Sequence, residues 1–323
     1  MNGRAMGRTI LALVLVLTLA LGLGSNALAA TYKVAFLPTD MSHTFASWLA
    51  RELGIAFEAY DDMELTTLDS KNTLETQLSN LETCVAQKYD YIILLPLEPA
   101  AEDPVVEQYI ADGMPMMNIN LDDLGVKTAS SVIANPYDLG TVVAQEAMKT
   151  LPEDAKVVVL LGPSGNTDSI ERRRAYQDVI FSQHPGITIL DEQIGNWEKS
   201  QGMNLMENWL QAYDHIDAVI SMNDAMAIGA YEAAKDAGVA DKIKFYGVDG
   251  LADAALSIAE GGLTATALQD AKKMAEEGAR IVHEVLTGKN TTGYEKVQIP
   301  VTLITKDNVQ DFITRYKENG LIK

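Results

Sequence analysis

A single cysteine, Cys84, stands in 323 residues, so no intrachain disulfide can form and stability has to come from packed cores. Cys84 lies between Leu81 and Val85 in a helical pattern, the setting of a small core residue rather than a reactive thiol. Histidine is scarce as well: His43, His184, His215 and His283 are far apart and share no ligand spacing with one another or with the cysteine, so no metal motif is present. Basic residues number 25 against 45 acids, a net charge of −20. A chain this acidic is a poor partner for the phosphates of nucleic acid, and the charge itself argues for solubility rather than for any fold or site. Nucleotide fingerprints are missing: Gly162-Pro-Ser-Gly165 follows a strand-like run but fits neither G-x-G-x-x-G nor the lysine-bearing phosphate loop. No G-x-S-x-G elbow offers a catalytic serine.

What is present begins at the N-terminus. Arg4 and Arg8 precede an apolar run from Thr9 to Leu23 that ends near Ala27-Leu28-Ala29, the order of a secretory signal peptide. The run is short for a membrane span and is followed directly by a strand-like segment. Residues 1–30 are therefore predicted to be a signal peptide cleaved after Ala29 or Ala30, and the mature protein to be exported to the periplasm. No cysteine lies near the cleavage site, which argues against a lipoprotein. About 290 residues remain, enough for two cores.

Short β-branched runs recur with amphipathic stretches between them: Lys33 to Leu37, Tyr91 to Leu95, Met116 to Ile119, Val157 to Leu161, Ile187 to Ile189, Ala218 to Met222, Lys244 to Val248 and Thr264 to Leu268. Strands alternating with helices imply βαβ units, and strands apolar on both faces imply parallel sheets covered by helices on each side. One module is used twice: Asp90-Tyr-Ile-Ile-Leu-Leu-Pro, a helix and Met116-Met-Asn-Ile-Asn match Asp217-Ala-Val-Ile-Ser-Met-Asn, a helix and Phe245-Tyr-Gly-Val-Asp. In both, a polar residue stands just past the C-terminal end of a strand, where open α/β sheets bind ligands. Helix capping is the plainer role for an Asn or Asp at such a position.

The groups at these ends are hydrogen-bonding side chains and aromatic rings. Asp168 and Arg172, four apart at the start of a helical stretch, share one face. Asn223 and Asp224 follow one strand, Asp249 another, and Asn120 and Gln269 end two more. Carboxylates accept, a guanidinium donates in a rigid fork and amides do both, a set suited to hydroxyls that themselves donate and accept. Phe45 and Trp197 would supply flat apolar faces for the C–H faces of a sugar ring. Each residue also has an ordinary alternative: Asp168 as a helix cap, Arg172 in a surface ion pair, Trp197 in the core.

The pieces Ala218-Val-Ile-Ser-Met-Asn-Asp-Ala-Met-Ala-Ile-Gly-Ala, Tyr246-Gly-Val-Asp-Gly, and Trp197-Glu-Lys-Ser-Gln-Gly running on to Asn208-Trp-Leu resemble the periplasmic sugar-binding proteins of the ribose and glucose/galactose type. The resemblance runs from about Thr31 to Val301, and Asp168-x-x-x-Arg172 with Trp197 is closer to the glucose/galactose branch. It implies an α/β fold of two Rossmann-like lobes with parallel sheets, joined by a three-segment hinge near Asn135, Gln269 and Pro300. The N-terminal lobe would comprise residues 31–135 plus 269–300, and the C-terminal lobe 136–268 plus 301–323, with a helix over Lys306 to Glu318. Asp168, Arg172, Asn223 and Asp249 would bind hydroxyls, Asn120 would contribute from the other lobe, Gln269 would stand near the hinge, and Phe45 and Trp197 would sandwich the ring.

Three positions depart from the glucose/galactose pattern: His43, also placed in the site, stands for an acid, Asn166 for a histidine, and Gln269 for an asparagine while matching the ribose type. Leu151-Pro-Glu-Asp-Ala-Lys156 does not reproduce that branch's calcium loop, so neither metal nor cofactor is expected. The resemblance implies a monomeric solute-binding protein that delivers a glucose/galactose-like hexose to a membrane ABC permease, with a chemoreceptor as a further possible partner. Pentoses, inositols and autoinducer-type ligands are the alternatives. A sugar-sensing repressor would need a basic helix-turn-helix headpiece where this chain has its export signal. An enzyme would need Asp168 and Asp249 as a carboxylate pair, and Arg172 should keep its neighbour ionised and unfit as a general acid.

Overall fold

The computed structural model describes residues 31–121 and 129–323. The signal peptide expected over residues 1–30 lies outside the described residues. Among the described residues no helix is long and apolar enough to cross a membrane.

The chain runs β1 (Tyr32–Leu37), α1 (Thr44–Phe57), β2 (Met63–Thr67), α2 (Leu74–Ala86), β3 (Tyr91–Leu94), α3 (Pro99–Ala111), β4 (Met116–Ile119) and β5 (Ser130–Ile133). It continues with α4 (Pro136–Thr150), β6 (Lys156–Leu161), α5 (Thr167–Tyr176), β7 (Thr188–Ile194), α6 (Lys199–Ala212), β8 (Ala218–Ser221), α7 (Asp224–Asp236), β9 (Lys244–Asp249), α8 (Ala252–Glu260) and β10 (Ala265–Leu268). It closes with α9 (Ala271–Leu286), β11 (Lys296–Gln298), β12 (Thr302–Thr305) and α10 (Val309–Glu318). Two six-stranded sheets result, ordered β11-β5-β4-β3-β1-β2 and β12-β10-β9-β8-β6-β7. Every ladder is parallel except β10 with β12. The chain passes between the sheets three times: from β5 to α4, from β10 to α9, and from β11 to β12.

The repeated sequence module has a structural counterpart. Both sheets follow the order of a doubly wound fold, with the switch point between β1 and β3 in one and between β6 and β8 in the other. Asp90, just before β3, accepts the Lys33 amide at 2.7 Å, and Asp217, just before β8, accepts the Lys156 amide at 2.7 Å. The same carboxylate thus ties the same pair of strand starts in each lobe. Asn120 after β4 and Asp249 at the end of β9 occupy matching positions, and both have positive φ, 66° and 121°.

Strands β3, β4, β8 and β10 are buried along their whole length, which accounts for their apolar runs; β5 is equally buried but opens with Ser130 and Ser131 and shows no such run. Close helix packing in the second lobe depends on glycine: a Cβ on Gly202 would lie 2.4 Å from the Met226 carbonyl oxygen, and one on Gly229 would lie 2.0 Å from that of Lys199. Those two positions let α6 and α7 touch backbone to backbone. Cys84 is fully buried among Leu81, Ile92 and Leu94, and burial pushes its thiol up to about 11, as befits an inert core residue.

Candidate functional site

Between the two sets of strand ends lies a cavity of about 550 Å³ including its open mouth. All nine predicted site residues line it: His43, Phe45, Asn120, Asp168, Arg172, Trp197, Asn223, Asp249 and Gln269. Thr39, Thr44, Leu95, Pro96 and Asn166 complete most of the rest of the wall. Each side chain arrives by the same route. Thr39 to Phe45 follow β1, Leu95 and Pro96 follow β3, and Asn120 follows β4. From the second lobe, Asn166, Asp168 and Arg172 follow β6, Trp197 follows β7, Asn223 follows β8, Asp249 ends β9 and Gln269 follows β10.

Arg172 is the centre of the second lobe's wall, and its residue is 3% exposed. Its Nη1 donates to the Met222 carbonyl at 2.6 Å and its Nη2 to Gln269 Oε1 at 2.5 Å, while Asp249 Oδ1 lies 3.7 Å from Nη1. The guanidinium carbon sits 5.7 Å from the centre of the Trp197 ring. These contacts aim the fork and leave buried Nε without a partner. A buried guanidinium held this way is a prebuilt donor for an oxygen-rich ligand.

Two contacts bridge the lobes at the cavity. Asn120 Nδ2 donates to Asp168 Oδ2 at 3.1 Å, and His43 Nε2 lies 3.3 Å from Glu198 Oε1. Asn120 Oδ1 and Asp168 Oδ1 are both buried with no hydrogen-bond partner. Buried acceptors lacking a donor are costly unless something else supplies one.

Electrostatics correct one expectation. Burial pushes the Asp168 carboxyl above its ordinary range, and Arg172 and Asn120 only partly offset that. Burial likewise raises Asp249 to about 7 against the pull of Arg172. The neighbouring arginine therefore does not hold these carboxyls in their usual range, because desolvation outweighs its attraction. Asp224, fully buried beside them, is pushed up by burial and then by Asp249.

Capping and site lining are not exclusive. Asn223 caps α7 by accepting the Met226 amide at 3.0 Å, and its Nδ2 donates to the Trp197 carbonyl at 3.1 Å. Its amide still has one hydrogen and one lone pair free for another group. Asn166 caps α5 through the Ser169 amide at 3.1 Å. Asp168 is not the cap of its helix. Trp197 has φ 67° and the far end of its indole lies against Gly162, where a Cβ would come within 2.1 Å of the ring. Among the described residues no group of three or more His, Cys, Asp or Glu side chains is arranged to hold a metal ion.

The periplasmic binding protein domain model matches residues 34–290. A protein of Rhizobium meliloti named for rhizopine binding is 34% identical over 259 residues, covering 78% of this chain and 83% of that protein. A xylitol-binding protein of Mycolicibacterium smegmatis is 27% identical over 250 residues, covering 77% of this chain and 70% of that protein. An ABC transporter solute binding protein of Bacillus halodurans, solved with bound myo-inositol, superposes with a TM-score of 0.84 at 25% identity, over 89% of this chain and 99% of that one. With its two lobes, its strand-end cavity and a family match over most of its length, the chain belongs to the periplasmic binding proteins and is a binding protein, not an enzyme.

Proposed function

We propose that this protein is the sugar-binding component of an ABC import system and that the cavity between its lobes takes a neutral cyclic polyol of monosaccharide size. The observation that carries the reading is the set of buried, unpartnered polar atoms on residues that line one cavity: Asp168 Oδ1, Asn120 Oδ1 and Arg172 Nε, with Phe45 and Trp197 in the same wall. Hydroxyls spaced around a ring donate to the first two and accept from the third, and the ring's C–H faces lie against the aromatics.

Among such ligands we place inositols ahead of glucose- or galactose-like hexoses. Two relatives are named for rhizopine and xylitol, the solved Bacillus halodurans protein holds myo-inositol, and His43, Asn166 and Gln269 depart from the glucose/galactose pattern. Pentoses remain the next class. Ligand bridges the two walls as Asn120 and Asp168 already do, which favours the closed arrangement that a membrane permease recognises. A periplasmic location and a monomeric state complete the reading.

The test is the melting temperature of refolded, ligand-stripped protein against myo-inositol, scyllo-inositol, xylitol, ribose, glucose and galactose. A ligand at 100 times its Kd adds about 2.7 kcal/mol, a shift of several degrees. A shift with an inositol supports the reading; a shift with glucose or galactose alone restores the hexose assignment; no shift with any of the six removes the polyol class.

A further inference from the structure

Helix α10 lies beyond the residues matched by the family model and lines no part of the cavity, yet its polar contacts end on the residues that hold the cavity wall. The turn after β9 is unusual. Asp249 has φ 121° and Gly250 φ 71°, and a Cβ on Gly250 would fall 2.7 Å from the Leu268 side chain. A non-glycine residue in that region persists only where its surroundings over-determine it.

Here the over-determination can be traced bond by bond. The Gly250 amide donates to Thr266 Oγ1 at 3.2 Å, and the Leu251 amide donates to Asp224 Oδ2 at 2.8 Å. The Asp249 carbonyl accepts the Gln269 amide at 3.0 Å. The Gly250 carbonyl accepts the hydroxyl of Tyr316 from α10 at 2.5 Å. Tyr316 is 1% exposed and is itself held by the edge of Trp48, a residue of α1 in the other lobe, with ring centres 6.2 Å apart.

The next residue of α10 reaches the second branch of the site. Arg315 Nη2 donates to both oxygens of Asp270, at 2.6 and 2.7 Å. Asp270 caps α9 through the Lys273 amide and directly follows Gln269, whose Oε1 receives the Arg172 fork. Past the helix end, Asn319 accepts from Arg51 through its carbonyl at 2.7 Å and from Lys272 through Oδ1 at 2.9 Å.

We propose that α10 is a positioning brace for the candidate site: Tyr316 fixes Asp249 through Gly250, and Arg315 fixes Gln269 through Asp270. Its effect on ligand affinity rests on the polyol-binding reading above; its effect on the turn does not. The test compares Tyr316→Phe, which removes only the hydroxyl, with Ile313→Val, which thins the packing of α10 elsewhere.

Hydrogen exchange of the ligand-free protein, read by mass spectrometry on peptides covering residues 249–252, is expected to be about ten-fold faster at Gly250 and Leu251 in Tyr316→Phe. Ile313→Val is expected to lower the melting temperature while leaving those amides unchanged. Calorimetry with myo-inositol should show a roughly ten-fold weaker Kd in Tyr316→Phe alone. Unchanged exchange, an equal rise in both variants, or faster exchange with unchanged myo-inositol affinity overturns the brace. Faster exchange confined to Tyr316→Phe, in a protein that binds neither myo-inositol nor the other polyols, leaves the brace standing and removes the polyol reading instead. Arg315→Gln gives an independent reading on the other branch, where exchange at the Lys273 amide should rise; no rise there counts against the brace even if Tyr316→Phe does not fold.

Discussion

Asn120 and Asp168 meet across the cavity, the amide nitrogen of one 3.1 Å from a carboxylate oxygen of the other, and each keeps a buried oxygen without a partner. The pair joins the lobes and still faces whatever enters between them. Replacing Asp168 by Asn preserves its volume and removes its charge. A hydrogen bond to a charged group contributes roughly 1.5–3 kcal/mol, so Asp168→Asn should weaken polyol binding about ten- to a hundred-fold. The melting temperature of the ligand-free protein should hold or rise, because a desolvated carboxylate is gone. Calorimetry beside a thermal melt checks both halves; an unchanged Kd sinks the assignment.

The buried acids predict a pH dependence with a definite sign. Burial raises Asp249 and Glu102 to about 7, and moves Asp168 and Asp224 in the same direction. At Asp249 and Glu102 the folded protein therefore keeps protons that the unfolded chain has already lost, so the stability linked to those two groups is full below about pH 4 and is lost as pH rises through about 7. The ligand-free protein should melt several degrees higher at pH 5 than at pH 8, and Asp249→Asn should flatten that slope. A melting temperature that climbs steadily from pH 5 to 8 would contradict it.

Gly162 should behave as a site residue without touching ligand. A Cβ there would sit 2.1 Å from the Trp197 ring, so Gly162→Ala forces the indole out of its place. Affinity should fall about ten-fold or more, in line with the 1–3 kcal/mol of an overpacked contact. Trp197 fluorescence should shift in the ligand-free variant; an unaltered spectrum and Kd would mean that the ring is free to sit elsewhere.

Gly229→Ala addresses the scaffold alone. With 2.0 Å to the Lys199 carbonyl oxygen, α6 and α7 must separate, at a cost of about 1–3 kcal/mol in urea unfolding. A smaller loss would show that α6 shifts easily.

How much of this was legible in the sequence depends on burial. Fully buried strands such as Tyr91–Leu94 and Ala218–Ser221 announce themselves as apolar runs. Strands β2, β5, β11 and β12 do not: Met63–Thr67 lies at a sheet edge with its last four residues partly or fully exposed, β11 is three residues with two exposed, and β5, though buried, opens with Ser130 and Ser131. Half-wet edge strands read as loops because one face needs no apolar side chains. The helix predicted over Lys306 to Glu318 begins three residues later, at Val309, after a turn.

At the site, the rule that ligands gather at strand ends picked out nine side chains that line the cavity but passed over Thr39 after β1 and Leu95 and Pro96 after β3, which carry no charge or amide to mark them. It could not separate Asn223, whose amide caps a helix, from Asp168, whose carboxyl caps nothing. Asp224 shows the limit in another way: it reads as the first residue of a helix, but its role is to receive the Leu251 amide from the turn behind Asp249, a contact 27 residues away that no local pattern encodes.

The connectivity of the two lobes is interleaved. Strand β11 pairs with β5 through residues 165 positions apart, so the first lobe's sheet gains its final edge only after the whole second lobe has been made. Neither lobe corresponds to one stretch of gene. Cutting the chain after residue 290 would strip an edge strand from both sheets at once. During synthesis such a chain has no early fragment with a finished sheet, and its long-range pairings make folding slow.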